Sequence, residues 1–311
     1  MTVLNKENLW GTWATVLLPI NADESIDYPR LQNELDFLVQ SGVSGVYSNG
    51  TAGEFFNQTE FEFDKVSEML AVTCRRAKVP FQIGTCHMSP VISLARLERS
   101  KYLEPGAFQI ILPDWLVLST AEQHDFIQRV VEIAAPIPLV LYVPGHAKTK
   151  LAPSDFSRLA DAFPQIIGVK VASGDQEWYA QMKSVSRKLA VFVPGHRLAT
   201  GMKEMVGVGS YSNMACLNPT AAQKWYRLML EALPAALEIE TRILEFFKQC
   251  ILPYHAAGYS DPALDKFLAT VGGWSEVGTR LRWPYRGIDS GEVLKAIKIG
   301  RNIIPEFFSN N

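Results

Sequence analysis

From near its start the chain alternates short apolar, β-branched runs with longer amphipathic stretches, over and over. The apolar runs fall at residues 13–18, 43–48, 81–84, 108–112, 139–142, 166–171, 190–193 and 208–211. Between them, residues 28–40, 60–77, 91–102, 120–134 and 153–163 set apolar side chains at helical spacing, as Leu31, Leu35 and Leu38 do in the first. Ser154 and Asp155 after Pro153, and Asp175 after Gly174, read as helix starts. Strands separated by a helix each time must pair in parallel through right-handed crossovers. Such a count of strands fits a closed TIM (β/α)8 barrel better than an open sheet. After about residue 218 the pattern is wholly helical, at 220–235, 237–255, 261–270 and 291–304. The expectation is a barrel over 1–235 and a C-terminal helical extension over 236–311, packed on the same core because no low-complexity linker parts them.

Composition narrows the function. Hydrophobic residues make up 48% and charged residues 20% of the 311, a globular balance that needs no disulfide staples. A formal net charge of −2 offers no bulk attraction to nucleic acid or to an anionic membrane. Met1 to Trp13 lacks a basic patch followed by an apolar run, and no stretch is long enough to cross a bilayer. Cys74, Cys86, Cys216 and Cys250 are widely spaced, with no CxxC pair, which fits free thiols and a cytoplasmic setting. A metal-dependent mechanism would need several histidines or carboxylates converging on a cation. His87, His124, His146, His196 and His255 include no close pair, so no metal and no separate cofactor is expected.

A barrel carries its reactive groups at the C-terminal ends of its strands, and three segments put unusual residues there. In Ile167-Gly168-Val169-Lys170-Val171, a lysine interrupts an apolar strand. Desolvation would lower its pKa and free a neutral amine to attack a ketone; taken alone, the fragment also fits a lysine that snorkels to solvent. In Leu139-Val140-Leu141-Tyr142-Val143-Pro144-Gly145, a strand ends in a phenol able to carry protons, or in an ordinary core tyrosine. In Asn49-Gly50-Thr51-Ala52-Gly53-Glu54, glycines around a hydroxyl let backbone N–H groups converge on a carboxylate.

Together these segments resemble the dihydrodipicolinate synthase / N-acetylneuraminate lyase family of class I aldolases. That family shows a GTTGE-type loop, a YNxP tyrosine and a G-[IV]-K lysine in this order and at about this spacing. Gly207-Val208-Gly209-Ser210-Tyr211-Ser212-Asn213-Met214-Ala215 resembles a further family stretch, and Gly11-Thr12-Trp13 to Pro19 its first strand. The resemblance implies that Lys170 forms an imine with pyruvate or a larger 2-keto acid, with no other cofactor. It implies Tyr142 as general acid/base, Thr51 as the hydroxyl that positions it, and the backbone around Gly50, Thr51, Ala52 and Gly53 as the holder of the carboxylate. It also implies a homo-oligomer, a tetramer or a dimer.

Departures from the pattern bear on the substrate. Ala52 stands where the family has a second loop hydroxyl. Dihydrodipicolinate synthases read about Y-N-x-P-S-R-T, their arginine gripping an aldehyde substrate's carboxylate; this chain reads Tyr142-Val143-Pro144-Gly145-His146-Ala147-Lys148. Trp115 occupies the place of a tyrosine that reaches a neighbouring subunit's site, and an indole N–H cannot relay a proton as a phenol does. The expected activity is therefore aldol cleavage or dehydration of a sugar acid or another 2-keto-3-deoxy acid, with Trp115, His146 and Tyr211 lining the variable part of the pocket. Condensation of pyruvate with aspartate semialdehyde stands as the alternative, and a non-catalytic keto-acid binder as an alternative of another class.

Overall fold

The computed structural model describes residues 3–308; residues 1–2 and 309–311, the outer ends of the two expected segments, lie outside the described residues. Eight strands form one closed, all-parallel barrel in chain order: β1 (Gly11–Thr15), β2 (Gly45–Ser48), β3 (Phe81–Gly84), β4 (Ala107–Ile110), β5 (Leu139–Val143), β6 (Ile166–Val171), β7 (Ala190–Phe192) and β8 (Gly207–Tyr211). The connecting helices are α1 (Tyr28–Gln40), α2 (Glu60–Ala77), α3 (Pro90–Ser100), α4 (Thr120–Ala134), α5 (Pro153–Ala162), α6 (Gln176–Ser186), and α7 (Leu198–Lys203). After β8 come α8 (Asn213–Leu217), α9 (Pro219–Glu231), α10 (Leu233–Cys250), α11 (Leu252–Ala256), α12 (Asp261–Gly272) and α13 (Val293–Ile303). This is the TIM barrel with C-terminal helices that the alternation implied.

Local chemistry sets many of the helix starts. The Asp27 side chain accepts from Arg30 N–H, and Asp175 accepts from Trp178 N–H, each satisfying a donor that the first turn leaves open. Thr59 with Glu62, and Ser119 with Glu122, close reciprocal capping boxes at α2 and α4.

The differences from the sequence expectation have definite causes. The first strand pairs from Gly11, opposite Gly209, and ends at Thr15, although residues 16–18 stay buried beyond it. The stretch 91–102 ends as α3 at Ser100 and tightens into a 3-10 turn at Lys101–Leu103. The expected helix 237–255 is two helices, because Pro253 sits in the first turn of a new one, where the missing N–H costs nothing; the first of the two starts earlier, with Pro234 in its own first turn.

Strand pleating divides the core in two. Val169 and Val171 face outward into the layer between barrel and helices, along with Val46 and Ala14. Trp13, Tyr47, Val140, Ala190, Phe192 and Tyr211 fill the barrel interior. Glycine admits the largest of these: a Cβ on Gly45 would sit 2.5 Å from the Trp13 ring. The same alternation turns Lys170 inward, and the β5–β6 register sets it directly beside Tyr142. The helical tail packs over the C-terminal mouth, with α12 against α8.

Candidate active site

The mouth of the barrel holds a cavity of about 380 Å³, walled by strand ends on one side and by α10, α11 and α12 on the other. Lys170 enters it from β6 and reaches across the barrel to β2, where Nζ donates to Tyr47 Oη at 3.3 Å. Three phenol rings surround the amine, with Nζ 4.0 Å from the centroid of Tyr142, 4.9 Å from Tyr47 and 5.3 Å from Tyr211. Ring faces favour a cation, but burial works the other way and prevails. Desolvation lowers the Lys170 pKa to about 8, against the pull of a nearby carboxylate, Asp265. A substantial neutral fraction is therefore present near neutral pH, which a nucleophilic amine requires.

Tyr142 ends β5 with its hydroxyl 3.0 Å from Thr51 Oγ1. Burial raises its pKa well above the ordinary phenol value, while the Thr51 hydrogen bond pulls it back. Thr51 belongs to the tight loop after β2. Asn49 and Glu54 bracket this loop with left-handed backbone at φ 56° and 51°. Gln58 pins it by donating to the Gly53 carbonyl at 2.7 Å and to Asn49 Oδ1 at 3.1 Å. The loop glycines serve close approach: a Cβ on Gly53 would meet Asn49 N and Val16 O at 3.1 Å, and one on Gly50 would meet the Tyr47 ring at 2.9 Å. Thr51 and Ala52 line the cavity. Their N–H groups donate to no protein acceptor among the described residues.

The remaining expected site residues divide. Tyr211 lies in the cavity floor, where it donates to Gln82 Oε1 at 2.7 Å and meets Tyr47 edge-on; its phenol is tied into the barrel rather than placed at a variable wall. Gly50 and Gly53 support the loop from behind and do not line the cavity. His146 opens onto a smaller side cavity of about 110 Å³, on the other flank of Thr51 and Tyr142, and lies 3.6 Å from Asp261. Trp115 stands outside both cavities and is 75% exposed, with Lys148 Nζ donating to its carbonyl at 3.1 Å. Neither the indole nor Lys148 reaches the amine within this chain, because the loops after β4 and β5 carry them outward.

Several groups of the site carry no signal in the sequence. Tyr47 reads there as one more apolar strand residue. Asp261 and Asp265 lie one turn apart on α12, a spacing that puts both on one face, within a tail whose pattern otherwise speaks only of packing. Asp265 is pushed up to about 7 by burial, reinforced by Asp261 and opposed by Lys170. His196 follows β7 and is stacked on Phe247; burial lowers it to about 4. Its backbone N–H donates to Asn213 Oδ1 at 3.1 Å, and Asn213 Nδ2 stands 2.9 Å from His196 Nδ1. That bond makes Nδ1 the acceptor and leaves the proton on Nε2. Among the described residues no three His, Cys, Asp or Glu side chains gather as a metal site, and no helix is long and apolar enough to cross a membrane.

Comparison with known proteins places this geometry in context. The profile of the dihydrodipicolinate synthetase family matches residues 8–290. A 4-hydroxy-tetrahydrodipicolinate synthase of Persephonella marina is 26% identical over 300 residues, spanning 92% of this chain and 96% of that one. Among solved structures, a prophage protein of the dihydrodipicolinic acid synthase family from E. coli K12, in complex with pyruvate, aligns with a TM-score of 0.82 at 19% identity, covering 95% of this chain and 98% of its own. The N-acetylneuraminate lyase of Fusobacterium nucleatum aligns with a TM-score of 0.79 at 17% identity, covering 95% and 99%. At these identities the structural likeness speaks for the fold.

Proposed function

The chain belongs to the dihydrodipicolinate synthetase family, and from that premise we propose that it is a class I lyase whose Lys170 condenses with the keto carbon of a 2-keto acid. The observation that carries this is the Lys170 amine, half-buried among three phenol rings and held beside one that is itself 3.0 Å from a threonine hydroxyl. The amides of Thr51 and Ala52 hold the substrate carboxylate and so bring its keto carbon to Nζ. Once the imine is protonated it withdraws electrons, and a carbanion at the neighbouring carbon is stored as an enamine. No further electron sink is needed. Tyr142 moves the proton at the carbons beyond the imine, with Thr51 completing the relay. A protein that only bound keto acids would have no use for that relay.

The substrate is a longer 2-keto acid, of the sugar-acid or 2-keto-3-deoxy-acid kind, cleaved to release pyruvate or dehydrated. Lys170 is the one Lys or Arg side chain lining the cavity among the described residues, so a second carboxylate would find no cationic grip there. Relatives named 4-hydroxy-tetrahydrodipicolinate synthase favour the condensation of pyruvate with aspartate semialdehyde as the second reading. A panel of 2-keto acids, assayed in parallel for pyruvate release and for loss of water, tests the choice. Cleavage or dehydration of a polyhydroxylated member supports the reading, and turnover confined to the condensation refutes it. The family resemblance further implies a homo-oligomer. We assign Trp115, Leu116 and Val117, all exposed and apolar beyond β4, to a subunit contact.

A further inference from the structure

The helix α12 brings two carboxylates to the cavity that holds Lys170. Asp261 stands at its rim, facing His146 at 3.6 Å, with His255 of α11 and Lys170 of β6 also acting on it. Asp265 lies one turn deeper and is half-buried, with the Cys216 thiol of α8 within hydrogen-bonding reach of its carboxyl. Among the charges acting on Lys170, that of Asp265 is the strongest. No ion pair joins the two among the described residues, since Nζ donates to Tyr47 instead. The carboxyl and the amine thus line one cavity without pairing with each other.

We propose that Asp265 is a further acid–base residue of this site, serving the closing of the imine. The proposal rests on the Lys170 reading above. Attack of the neutral amine on the keto carbon gives a carbinolamine, in which that carbon carries both a hydroxyl and the Lys170 nitrogen. Asp265 in its carboxylic acid form gives its proton to the hydroxyl, which leaves as water. The nitrogen lone pair forms the C=N bond, and the products are a protonated imine and the Asp265 carboxylate, its counter-charge. Hydrolysis of the product imine runs the same steps backwards.

The division of labour follows from what each group can release. Burial holds the protons of Tyr47, Tyr142 and Tyr211 tightly, well above the ordinary phenol value. His196 is a neutral donor with its other nitrogen occupied by Asn213. Asp265, at about 7, is the group near Lys170 whose proton exchanges readily at neutral pH. The titratable groups acting on it are Asp261 on its own helix, Lys170 from β6 and Cys216 from α8; Tyr47 and Tyr142 feel its charge in turn.

The test is the rate at which pyruvate is trapped on Lys170, followed by mass spectrometry across neutral pH and well to either side, with cyanoborohydride in excess. Imine closure needs Asp265 protonated and Lys170 neutral, so the wild-type rate should form a bell peaking between about 7 and about 8. In Asp265→Asn the falling limb should vanish and the rate at the optimum should drop by about 10²-fold. Asp265→Glu should restore the limb in part. Asp261→Asn removes the like charge that raises Asp265, so the break of the rising limb, which lies at the lower of the two pKa values, should move to lower pH, a response that a merely structural aspartate would not give. A falling limb that persists in Asp265→Asn, with a rate close to that of wild type, overturns the assignment and leaves the Lys170 reading intact. No adduct in the wild type at any pH removes both.

Discussion

The ammonium of Lys266 lies 2.5 Å from a carboxylate oxygen of Glu54, with 0% and 2% of the two side chains exposed. Lys266 belongs to α12 and Glu54 closes the loop that carries Thr51 and Ala52, so this pair fastens the C-terminal helices to the expected carboxylate-binding loop. Lys266 also donates to the Arg280 carbonyl at 2.7 Å. Removing one member of such a pair strands the other charge in a low-dielectric interior, at a cost of about 3–5 kcal/mol. Lys266→Met should lower the unfolding free energy by about that much in denaturant titrations, and Glu54→Gln on top of it should recover part of the loss. A loss below about 1 kcal/mol in the single variant would show that the pair is not a fastening.

Lys170 is an internal source of instability. Its folded pKa of about 8 lies below the ordinary lysine value of 10.5 because burial disfavours the charged form. The folded state therefore resists a proton that the unfolded chain accepts. The penalty is complete below about pH 8 and fades as pH rises from about 8 toward 10.5. Lys170→Met should stabilise the protein at neutral pH by roughly 1–3 kcal/mol, with the gain shrinking as the solution approaches the ordinary lysine pKa. A destabilised variant at neutral pH would mean that the ammonium is welcome where it sits.

The Thr51–Tyr142 hydrogen bond predicts a defect at carbon rather than at nitrogen. Exchange of the pyruvate methyl protons with deuterium, read by NMR, requires no knowledge of the natural substrate. Tyr142→Phe should slow it by about 10²–10⁴-fold. Thr51→Val should slow it less, since it removes the bond that draws the Tyr142 pKa down. Exchange at the wild-type rate in Thr51→Val would take the threonine out of the relay.

Aspartate semialdehyde should be a poor partner for pyruvate. The missing arginine deprives a second carboxylate of a bidentate contact worth about 1.5–3 kcal/mol, or roughly ten- to a hundredfold in discrimination. Lys148 does not compensate, because its Nζ donates to the Trp115 carbonyl at 3.1 Å, away from the cavity. A coupled assay showing condensation at an ordinary enzymatic rate would overturn this.

The barrel is legible in the sequence because its signal repeats: each strand and its helix state the same pattern, and local caps such as Thr59 with Glu62 mark the boundaries. The candidate lysine, Lys170, stands out in the sequence for the opposite reason, being one charge in an apolar strand. What stays hidden depends on contacts far apart in sequence. Tyr47 becomes a partner of Lys170 only when β2 and β6 face each other across the barrel. Asp265 belongs to a helix whose pattern reads as packing, and its approach to the amine depends on how α12 crosses the mouth. Trp115 and His146 are drawn toward the pocket by their places in a motif, but the loops after β4 and β5 carry them elsewhere.

The central claim is covalent chemistry at one lysine, and reductive trapping reads it directly. The protein is incubated with pyruvate and borohydride, digested, and its lysines are mapped by mass spectrometry. We expect a stoichiometric adduct on the peptide containing Lys170, none in Lys170→Met, and no effect of chelators on its yield. An adduct confined to another lysine, or none despite a folded protein, would contradict the assignment of Lys170 as the nucleophile.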